Sequence, residues 1–521
     1  MGWISRIRMA AVGLATVGLM TGVSGATAAT AERQDRAPIA HTADGWVRGK
    51  TAGTMAEYLG IPYAAPPVGA LRWQPPHPAA PWRGVRAATN FAAHCPQPAS
   101  PFGVASTSEN CLYLNVYAPA GAVGRDLPVM VWIHGGSLLV GESDDYDPAP
   151  LVRQGVIVVT INYRIGALGF LASAALASTP GGPSGDYGLM DQQAALRWVQ
   201  RSIRGFGGDP RDVTLFGESA GGLSTLAQVA SPAARGLFQR AIVESGSYSL
   251  TQQSLASAES AGAAFAAKVG CATNTATCLR SLPVSTIVDN EDTGGYEPNI
   301  DSVVLPQSVI TALGSGQFSH VPVIIGTNRD EWRLFVGLDQ LEGAPAVTAA
   351  NYVAQISSTL GVPTSVATVV ASEYPLSGYS SPAVALGAVG TDAIFACPAL
   401  VEEAALAKYT PTYAYEFSDE SAPDRFLPSF GFPYGAAHAF ELQYLFDLAN
   451  TQFPGALSAP QRRLARTMQR YWTGFAATGG PGAGWPQFTT GGQRALSLIP
   501  PHPQLGSGYS GEHHCSFWSS L

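Results

Sequence analysis

The fold is decided by residues 212–230, which read DVTLFGESAGGLSTLAQVA. The apolar, β-branched run over 212–216 predicts a buried strand, and the small and apolar residues over 220–230 predict a helix. Between them, Gly217-Glu218-Ser219-Ala220-Gly221 matches G-x-S-x-G, the pattern of a strained strand-to-helix turn that exposes a serine hydroxyl. The competing interpretation is a serine that only caps the helix. Because the strained turn needs small residues on both sides, Gly217 and Gly221 favour Ser219 as a nucleophile.

Strand and helix patterns alternate along the rest of the chain. Short apolar runs predict buried strands over 128–133, 156–162, 239–244, 321–326 and 412–417. Helical periodicity covers 187–203 and 461–477, and in the first of these Asp191 is placed on the solvent side. Such alternation indicates an α/β fold with a mostly parallel central sheet flanked by helices. We expect residues 32–521 to form a single domain.

Composition excludes several classes of function. The 521 residues are 46% hydrophobic and 13% charged, so the chain has ample apolar material for a large core. The net charge is −8 and no run of basic residues occurs, which argues against a nucleic-acid partner. No segment after the N-terminus has 18 unbroken apolar residues, so we expect no membrane span. Nothing in the sequence specifies an oligomer, and a monomer is favoured.

The N-terminus has the layout of a secretory signal peptide. Two arginines precede the apolar, small-residue-rich run from Met9 to Val23, and small residues suited to cleavage follow. A membrane anchor is the alternative, but the run is shorter than the roughly 20 residues that a spanning helix needs. We expect residues 1–31 to be removed, with the mature protein beginning between Ala29 and Glu32 and being secreted.

Six cysteines fit an exported protein, in which an even number suggests disulfides. Cys95 and Cys111 are 16 residues apart and Cys271 and Cys278 are 7 apart, so local pairing is the simplest expectation for these four. The segment His513-His514-Cys515 could be part of a metal-binding cluster, but no second group of ligand residues follows at the spacing typical of zinc sites. We therefore expect no metal site, a disulfide at Cys515, and both histidines at the surface. The chemistry inferred below needs no cofactor.

A second glycine-containing motif follows the predicted strand at 128–133. Residues 132–137 read Trp-Ile-His-Gly-Gly-Ser, close to the HGGG loop whose backbone amides stabilise an oxyanion in lipases and esterases. A developing negative charge on a substrate oxygen is stabilised strongly by such amides. We expect the N–H groups of Gly136, Ser137 and Ala220 to form this oxyanion hole. His134 is interpreted as a structural residue of the loop.

A serine nucleophile needs an imidazole base and a carboxylate that orients the imidazole. In enzymes that carry the serine on such a strand-to-helix turn, the three residues follow in the chain order serine, acid, histidine. His438 is the best candidate for the base, because it lies in a small-residue loop that opens an apolar segment. Asp330 and Glu331 both follow the predicted strand at 321–326. Spacing alone does not choose between these two acids.

Together these residues resemble the type-B carboxylesterase/cholinesterase family over nearly the whole mature chain. The ordered motifs are YLGIPYA at 58–64, SENCLYLNV at 108–116, GLMDQ at 188–192, FGGDP at 206–210, GESAGG at 217–222, GTNRDE at 326–331 and GAAHAFEL at 435–442. The resemblance implies Glu331 as the acid and His438 as the base. It also supports Cys95–Cys111 and Cys271–Cys278, implies a third disulfide Cys397–Cys515, and matches Ser245 to a serine close to the acid.

The resemblance implies the α/β-hydrolase fold and the hydrolysis of small-molecule esters through an acyl-enzyme intermediate on Ser219. The sequence departs from the family pattern at two places. The loop 96–110 holds only Phe102 as an aromatic residue, which argues against choline specificity, and Trp332 stands where the family usually has Gly. Short- to medium-chain or bulky esters are the expected substrates. A lipase or sterol esterase on the same scaffold is the alternative, and a noncatalytic binding module is disfavoured because all three triad positions carry competent residues.

Overall fold

The computed structural model describes residues 37–177, 183–291, 296–301, 303–449, 451–492, 494–506 and 508–521. The signal peptide expected at residues 1–31 lies outside them. The strands are β1 Ile39–Thr42, β2 Gly45–Arg48, β3 Lys50–Ala52, β4 Met55–Pro62, β5 Val85–Ala87, β6 Tyr113–Pro119, β7 Leu127–Ile133, β8 Tyr146–Asp147, β9 Ile157–Ile161, β10 Gly208–Glu218, β11 Arg240–Glu244, β12 Gln253–Ser254, β13 Asn299–Ile300, β14 Val323–Asn328, β15 Thr412–Phe417, β16 Asp447–Leu448, β17 Leu496–Leu498 and β18 Gln504–Leu505.

The α-helices surround these strands and differ widely in length. They are α1 Ala149–Val152, α2 Gly166–Phe170, α3 Tyr187–Ser202, α4 Ala220–Ala230, α5 Leu255–Lys268, α6 Thr275–Ser281, α7 Val284–Val288, α8 Val309–Ser315, α9 Trp332–Leu341, α10 Tyr352–Leu360, α11 Thr364–Glu373, α12 Pro382–Gly390, α13 Cys397–Leu406, α14 Ala459–Thr478, α15 Tyr509–Glu512 and α16 Cys515–Trp518. A π-helical turn, Thr391–Ala396, joins α12 to α13.

Within the described residues the main sheet has 11 strands in the order β18-β17-β15-β14-β11-β10-β7-β9-β6-β4-β3. Neighbours from β17 to β9 run parallel, and the remaining pairs are antiparallel. This is the mostly parallel α/β-hydrolase sheet expected from the sequence. Parallel strands covered on both faces read as continuous apolar runs, which is why the central strands could be located from the sequence.

Each face of the sheet has its own apolar core. Along β7, Val129, Val131 and Ile133 enter one core, while Met130 and Trp132 enter the other. This alternation follows from the two-residue period of a strand, whose successive side chains point to opposite faces. The carboxyl ends of β7, β10 and β14 are thereby held at one rigid edge, from which the loops of the candidate site emerge.

Two sequence-based expectations about polar residues are wrong. Asp191 on α3 does not face solvent; it is fully buried and forms an ion pair with Arg164, with 2.7 Å between Oδ2 and Nε. His513 is not at the surface either: it is buried between Asp392 and Glu416, 2.6 Å from an oxygen of each. In both cases a distant oppositely charged partner allows burial that the local pattern argues against. His514 is half-buried beside Glu373.

Three disulfides join the six cysteines as Cys95–Cys111, Cys271–Cys278 and Cys397–Cys515, the pairing that the resemblance implies. The third ties the start of α13 to α16 at the C-terminus. Of the described helices, the continuous stretch Pro382–Leu406 is long and apolar enough to cross a membrane by length and composition. Within it, 67% of the tested 18-residue window is buried inside the protein, as in a core helix.

Candidate active site

Ser219 lies on the turn between β10 and α4, at the carboxyl edge of the sheet. Its φ of 55° and ψ of −122° are costly for a residue with a Cβ, by roughly 1–3 kcal/mol. Two close contacts hold the turn in place. The Ser219 N–H donates to the Glu244 carbonyl at 2.8 Å, and a Cβ added at Gly221 would lie 2.0 Å from the carbonyl oxygen of Ile133. The glycine at 221 is therefore required by space.

His438 and Glu331 come together from segments 107 residues apart. The Nδ1 atom of His438 lies 2.6 Å from Glu331 Oε2, and both side chains are buried. The other oxygen of Glu331 accepts the backbone N–H of Asn328 at 2.7 Å, which fixes the carboxylate at the end of β14. Its position lets Glu331 orient the imidazole and stabilise a positive charge on it.

Asp330, the alternative acid, makes different contacts. Its Oδ1 lies 2.7 Å from Arg333, and its Oδ2 accepts the backbone N–H of Ala436 at 2.9 Å. Asp330 thus anchors the loop that carries His438 but does not contact the ring. The geometry separates two neighbouring acids that the sequence alone leaves equivalent.

A third carboxylate, Glu218, lies on the other side of the imidazole, with Oε1 3.2 Å from His438 Nε2. Burial lowers the pKa of His438, but the charges of Glu218 and Glu331 outweigh it, so the net direction is upward. Burial raises the pKa of Glu218 to about 7, with His438 opposing and Glu331 adding to the rise. Among the described residues, Nε2 makes no hydrogen bond, with Ser219 or any other group. Such contacts are often long without substrate and tighten in the complex.

The loop after β7 lies directly against the serine. A Cβ added at Gly135 would lie 3.0 Å from Ser219 Cβ, and Gly136 has a φ of 103°. Ser137 has a φ of 57°, in the region that favours glycine, so this residue is strained where the HGGG motif has its last Gly. No described residue accepts a hydrogen bond from the N–H groups of Gly136, Ser137 or Ala220. These three donors remain available for a substrate oxygen.

His134 and Ser245 support the site without reaching its centre. His134 is buried, stacks on Tyr163 at 4.5 Å, and its Nδ1 lies 2.9 Å from the Gly135 carbonyl oxygen. Burial lowers its pKa to about 4, so it is neutral at physiological pH and suits a structural role. The Ser245 N–H donates to the Gly326 carbonyl, but its buried Oγ makes no hydrogen bond with Glu331 or any other described group.

A cavity of about 540 Å³ opens over Ser219 and His438. Apolar side chains from several loops form most of its wall, among them Phe102 from the loop closed by the first disulfide, Phe335 from α9, and Leu442. Among the residues that the structure describes, five carboxylates also line it: Asp145, Glu218, Asp289, Glu291 and Glu342. The described lining residues include no lysine and no arginine. An apolar pocket with a few polar groups converging on a reactive centre is typical of small-molecule sites.

Sequence reasoning missed the contact of Glu218 with His438 and the support of Glu331 by Asn328. Both were within reach of a motif, since Glu218 is the residue before the serine in GESAGG and Asn328 belongs to GTNRDE. A motif gives the order of residues but not the direction in which a side chain points, so it does not show that the Glu218 side chain turns toward the imidazole.

Comparisons with known proteins agree with this geometry. Residues 36–518 match the Carboxylesterase family. The para-nitrobenzyl esterase of Bacillus subtilis (strain 168) is 36% identical over 477 residues, covering 86% of this chain and 92% of the relative. The cocaine esterase of Oryctolagus cuniculus is 36% identical over 510 residues (89% and 93%), and the fumonisin B1 esterase of Sphingopyxis macrogoltabida is 34% identical over 532 (97% and 94%). The chain therefore belongs to the carboxylesterase family and is a carboxylic ester hydrolase.

Proposed function

We propose that Ser219, His438 and Glu331 form the catalytic triad of this ester hydrolase. The observation that carries the proposal is the 2.6 Å contact between His438 and Glu331 beside a serine held on a strained turn, all at one cavity. In the first step Ser219 Oγ attacks the ester carbonyl carbon while His438 Nε2 takes the hydroxyl proton. Glu331 stabilises the imidazolium through Nδ1–H.

The carbonyl oxygen of the substrate becomes negatively charged as the tetrahedral intermediate forms. The N–H groups of Gly136, Ser137 and Ala220 donate to it, an interaction in which the loss of one donor costs about 3–4 kcal/mol. Collapse of the intermediate breaks the bond to the alkoxy oxygen, which receives the proton from His438. Water then repeats the sequence on the acyl-enzyme and releases the acid and free Ser219.

We further propose that the substrates are short- to medium-chain or bulky esters. The cavity of about 540 Å³ and its apolar wall support this size class. The names of three relatives, para-nitrobenzyl esterase, cocaine esterase and fumonisin B1 esterase, also favour bulky esters as substrates. A lipase or sterol esterase is the alternative, and a noncatalytic binding module is less well supported, because competent groups occupy all three triad positions.

Initial rates on p-nitrophenyl esters from acetate to palmitate test the triad and the size class together. We expect a maximum at short or medium chains in the wild type and no turnover above background in Ser219→Ala. Ser372, exposed on α11, provides the matched control, since Ser372→Ala should retain full activity. Retained turnover in a folded Ser219→Ala would overturn the triad, and a maximum at palmitate would favour the lipase.

We also propose that residues 1–31 direct export and that residues 32–521 form one domain. Three disulfides support an oxidising compartment. The contacts of Ala37–Leu521 form one compact unit, which supports the single domain. N-terminal sequencing of protein recovered from the medium of a secreting host should find a start between Ala29 and Glu32. Recovery only of the full-length chain would contradict this proposal.

A further inference from the structure

Trp332, the residue that departs from the family pattern, begins helix α9 immediately after Glu331. Its ring stacks on Phe335, one turn further along, with 4.6 Å between centroids and 26° between planes. Phe335 lines the substrate cavity and lies 5.1 Å from the ring of His438. Trp332 therefore packs against Phe335, and Phe335 in turn contacts the imidazole of His438.

A second aromatic ring, that of Phe395 in the π-helical turn Thr391–Ala396, packs beside the imidazole. Phe395 lies 5.1 Å from His438 and 5.9 Å from Phe335. The same turn also holds Trp332 itself, because Thr391 Oγ1 accepts the Trp332 backbone N–H at 3.0 Å. π-Helical turns are often found at functional sites. Here the turn aims Phe395 at the histidine.

Space for the large indole comes from Gly390, the last residue of α12. A Cβ added there would lie 2.1 Å from Trp332 Cγ, closer than any packed side chain allows. The φ of Gly390 is −68°, an ordinary helical value, so this position needs glycine for space alone. Trp332 and Gly390 are thus a complementary pair, one large and one small, at the contact between α9 and α12.

We propose that Trp332 is a positioning residue, which fits against Gly390 and presses Phe335 onto His438, and so sets the orientation of the imidazole and the cavity wall beside it. The inference rests on the proposed function, in which His438 is the base. A shift of about 1 Å in a catalytic group can lower turnover as much as about a hundredfold. Loss of the indole lets Phe335 move into the vacated space, and the ring of His438 then loses its contact with Phe335.

A double-mutant cycle of Trp332→Ala and Gly390→Ala tests the pair. We measure kcat and KM on p-nitrophenyl butyrate, count active sites by fluorophosphonate labelling, and record Tm. Trp332→Ala should lower kcat per labelled site by about tenfold, with a smaller change in KM. Gly390→Ala should lower kcat when Trp332 is present but cause no further loss in the Trp332→Ala background, where its Cβ has room. Trp332→Phe should recover most of the loss.

Gly314, within α8, is the matched control. Nothing lies within 4 Å of a Cβ added there, so Gly314→Ala should leave kcat near that of the wild type. Unchanged kcat in Trp332→Ala, or an equal loss from Gly390→Ala in both backgrounds, would overturn the inference. If Trp332→Ala does not fold, Gly390→Ala and Gly314→Ala decide, and equal kcat in these two overturns it. Absence of turnover in the wild type would instead count against the proposed function.

Discussion

Glu218 takes no part in the proposed chemical steps, although it lies beside the imidazole of His438. Its carboxylate lies 3.2 Å from His438 Nε2, the atom that takes the serine proton in the proposed mechanism, while Glu331 lies at Nδ1. Two negative charges on opposite sides of one buried ring both favour the imidazolium. Glu218 thereby shares with Glu331 the stabilisation of the charged base and raises the pH at which His438 becomes neutral.

Replacement of Glu218 by Gln should shift the pH dependence of catalysis. The substitution removes a charge that raises the pKa of His438, so that pKa should fall. Because the base must be neutral to accept a proton, the acidic limb of the kcat/KM profile should move to lower pH. The profile is measured with a neutral ester, and Glu342→Gln, at an exposed lining position, is the control. A limb that stays in place or moves to higher pH would contradict the argument.

At the scale of elements, the site depends on the close packing of the strand-to-helix turn against β7. Gly221→Ala would push a Cβ to 2.0 Å from the Ile133 carbonyl oxygen, where backbone must move. We expect the free energy of unfolding to fall by about 2 kcal/mol or more. Gly314→Ala is the matched control, since Gly314 lies within α8 with nothing within 4 Å of an added Cβ, and it should stabilise the protein by about 0.5–1 kcal/mol. Equal effects in urea denaturation would refute the packing argument.

His513 joins the C-terminal helices to two other elements, the π-helical turn through Asp392 and β15 through Glu416. Burial opposes its charge, but the hydrogen bonds to both carboxylates raise the pKa of His513 to about 10. A histidine with a raised pKa contributes stability that is complete below its unfolded pKa of about 6.5 and disappears as the pH rises toward 10. The C-terminus is therefore held most firmly at mildly acidic pH.

His513→Gln should accordingly destabilise the protein by about 3 kcal/mol near pH 6 and by less as the pH approaches 10. Thermal unfolding of wild type and variant at pH 6, 8 and 10 measures the difference. His514→Gln is the control, because that half-buried pair with Glu373 is worth at most about 1 kcal/mol. A difference in Tm that grows with pH would show that the ion-pair interpretation is wrong.

The same elements show what a sequence can and cannot predict. Strand Thr412–Phe417 was located to the residue, and the turn at Ser219 was recognised, because apolar runs and glycine spacing are local signals. The burial of Asp191 and His513 was missed, because each depends on partners 27 or more residues away. The fit of Trp332 to Gly390 is of the same kind, since 58 residues separate them and neither carries a pattern of its own.

At the scale of the whole molecule, charge is distributed to suit some esters better than others. The chain carries a net charge of −8, and carboxylates line the cavity without a lysine or arginine among its described lining residues. Burial raises the pKa of Glu291 to about 8. Glu291 is therefore largely protonated at pH 6 and largely ionised at pH 9, so the cavity becomes more negative over this range.

This distribution predicts discrimination against anionic substrates that strengthens with pH. The p-nitrophenyl half-ester of glutaric acid and p-nitrophenyl valerate have acyl chains of equal length and differ in one terminal carboxylate. We expect kcat/KM for the valerate to exceed that for the half-ester by at least about tenfold at low salt. The ratio should rise between pH 6 and pH 9, since the triad titrates equally for both esters, and it should fall as salt screens the charges.

Glu342→Gln should reduce the ratio, whereas Glu259→Gln, outside the lining, should not. A ratio near one at low salt would mean that the anionic chain end avoids the carboxylates, and the acyl group would then have to lie against the apolar wall formed by Phe102 and Leu442.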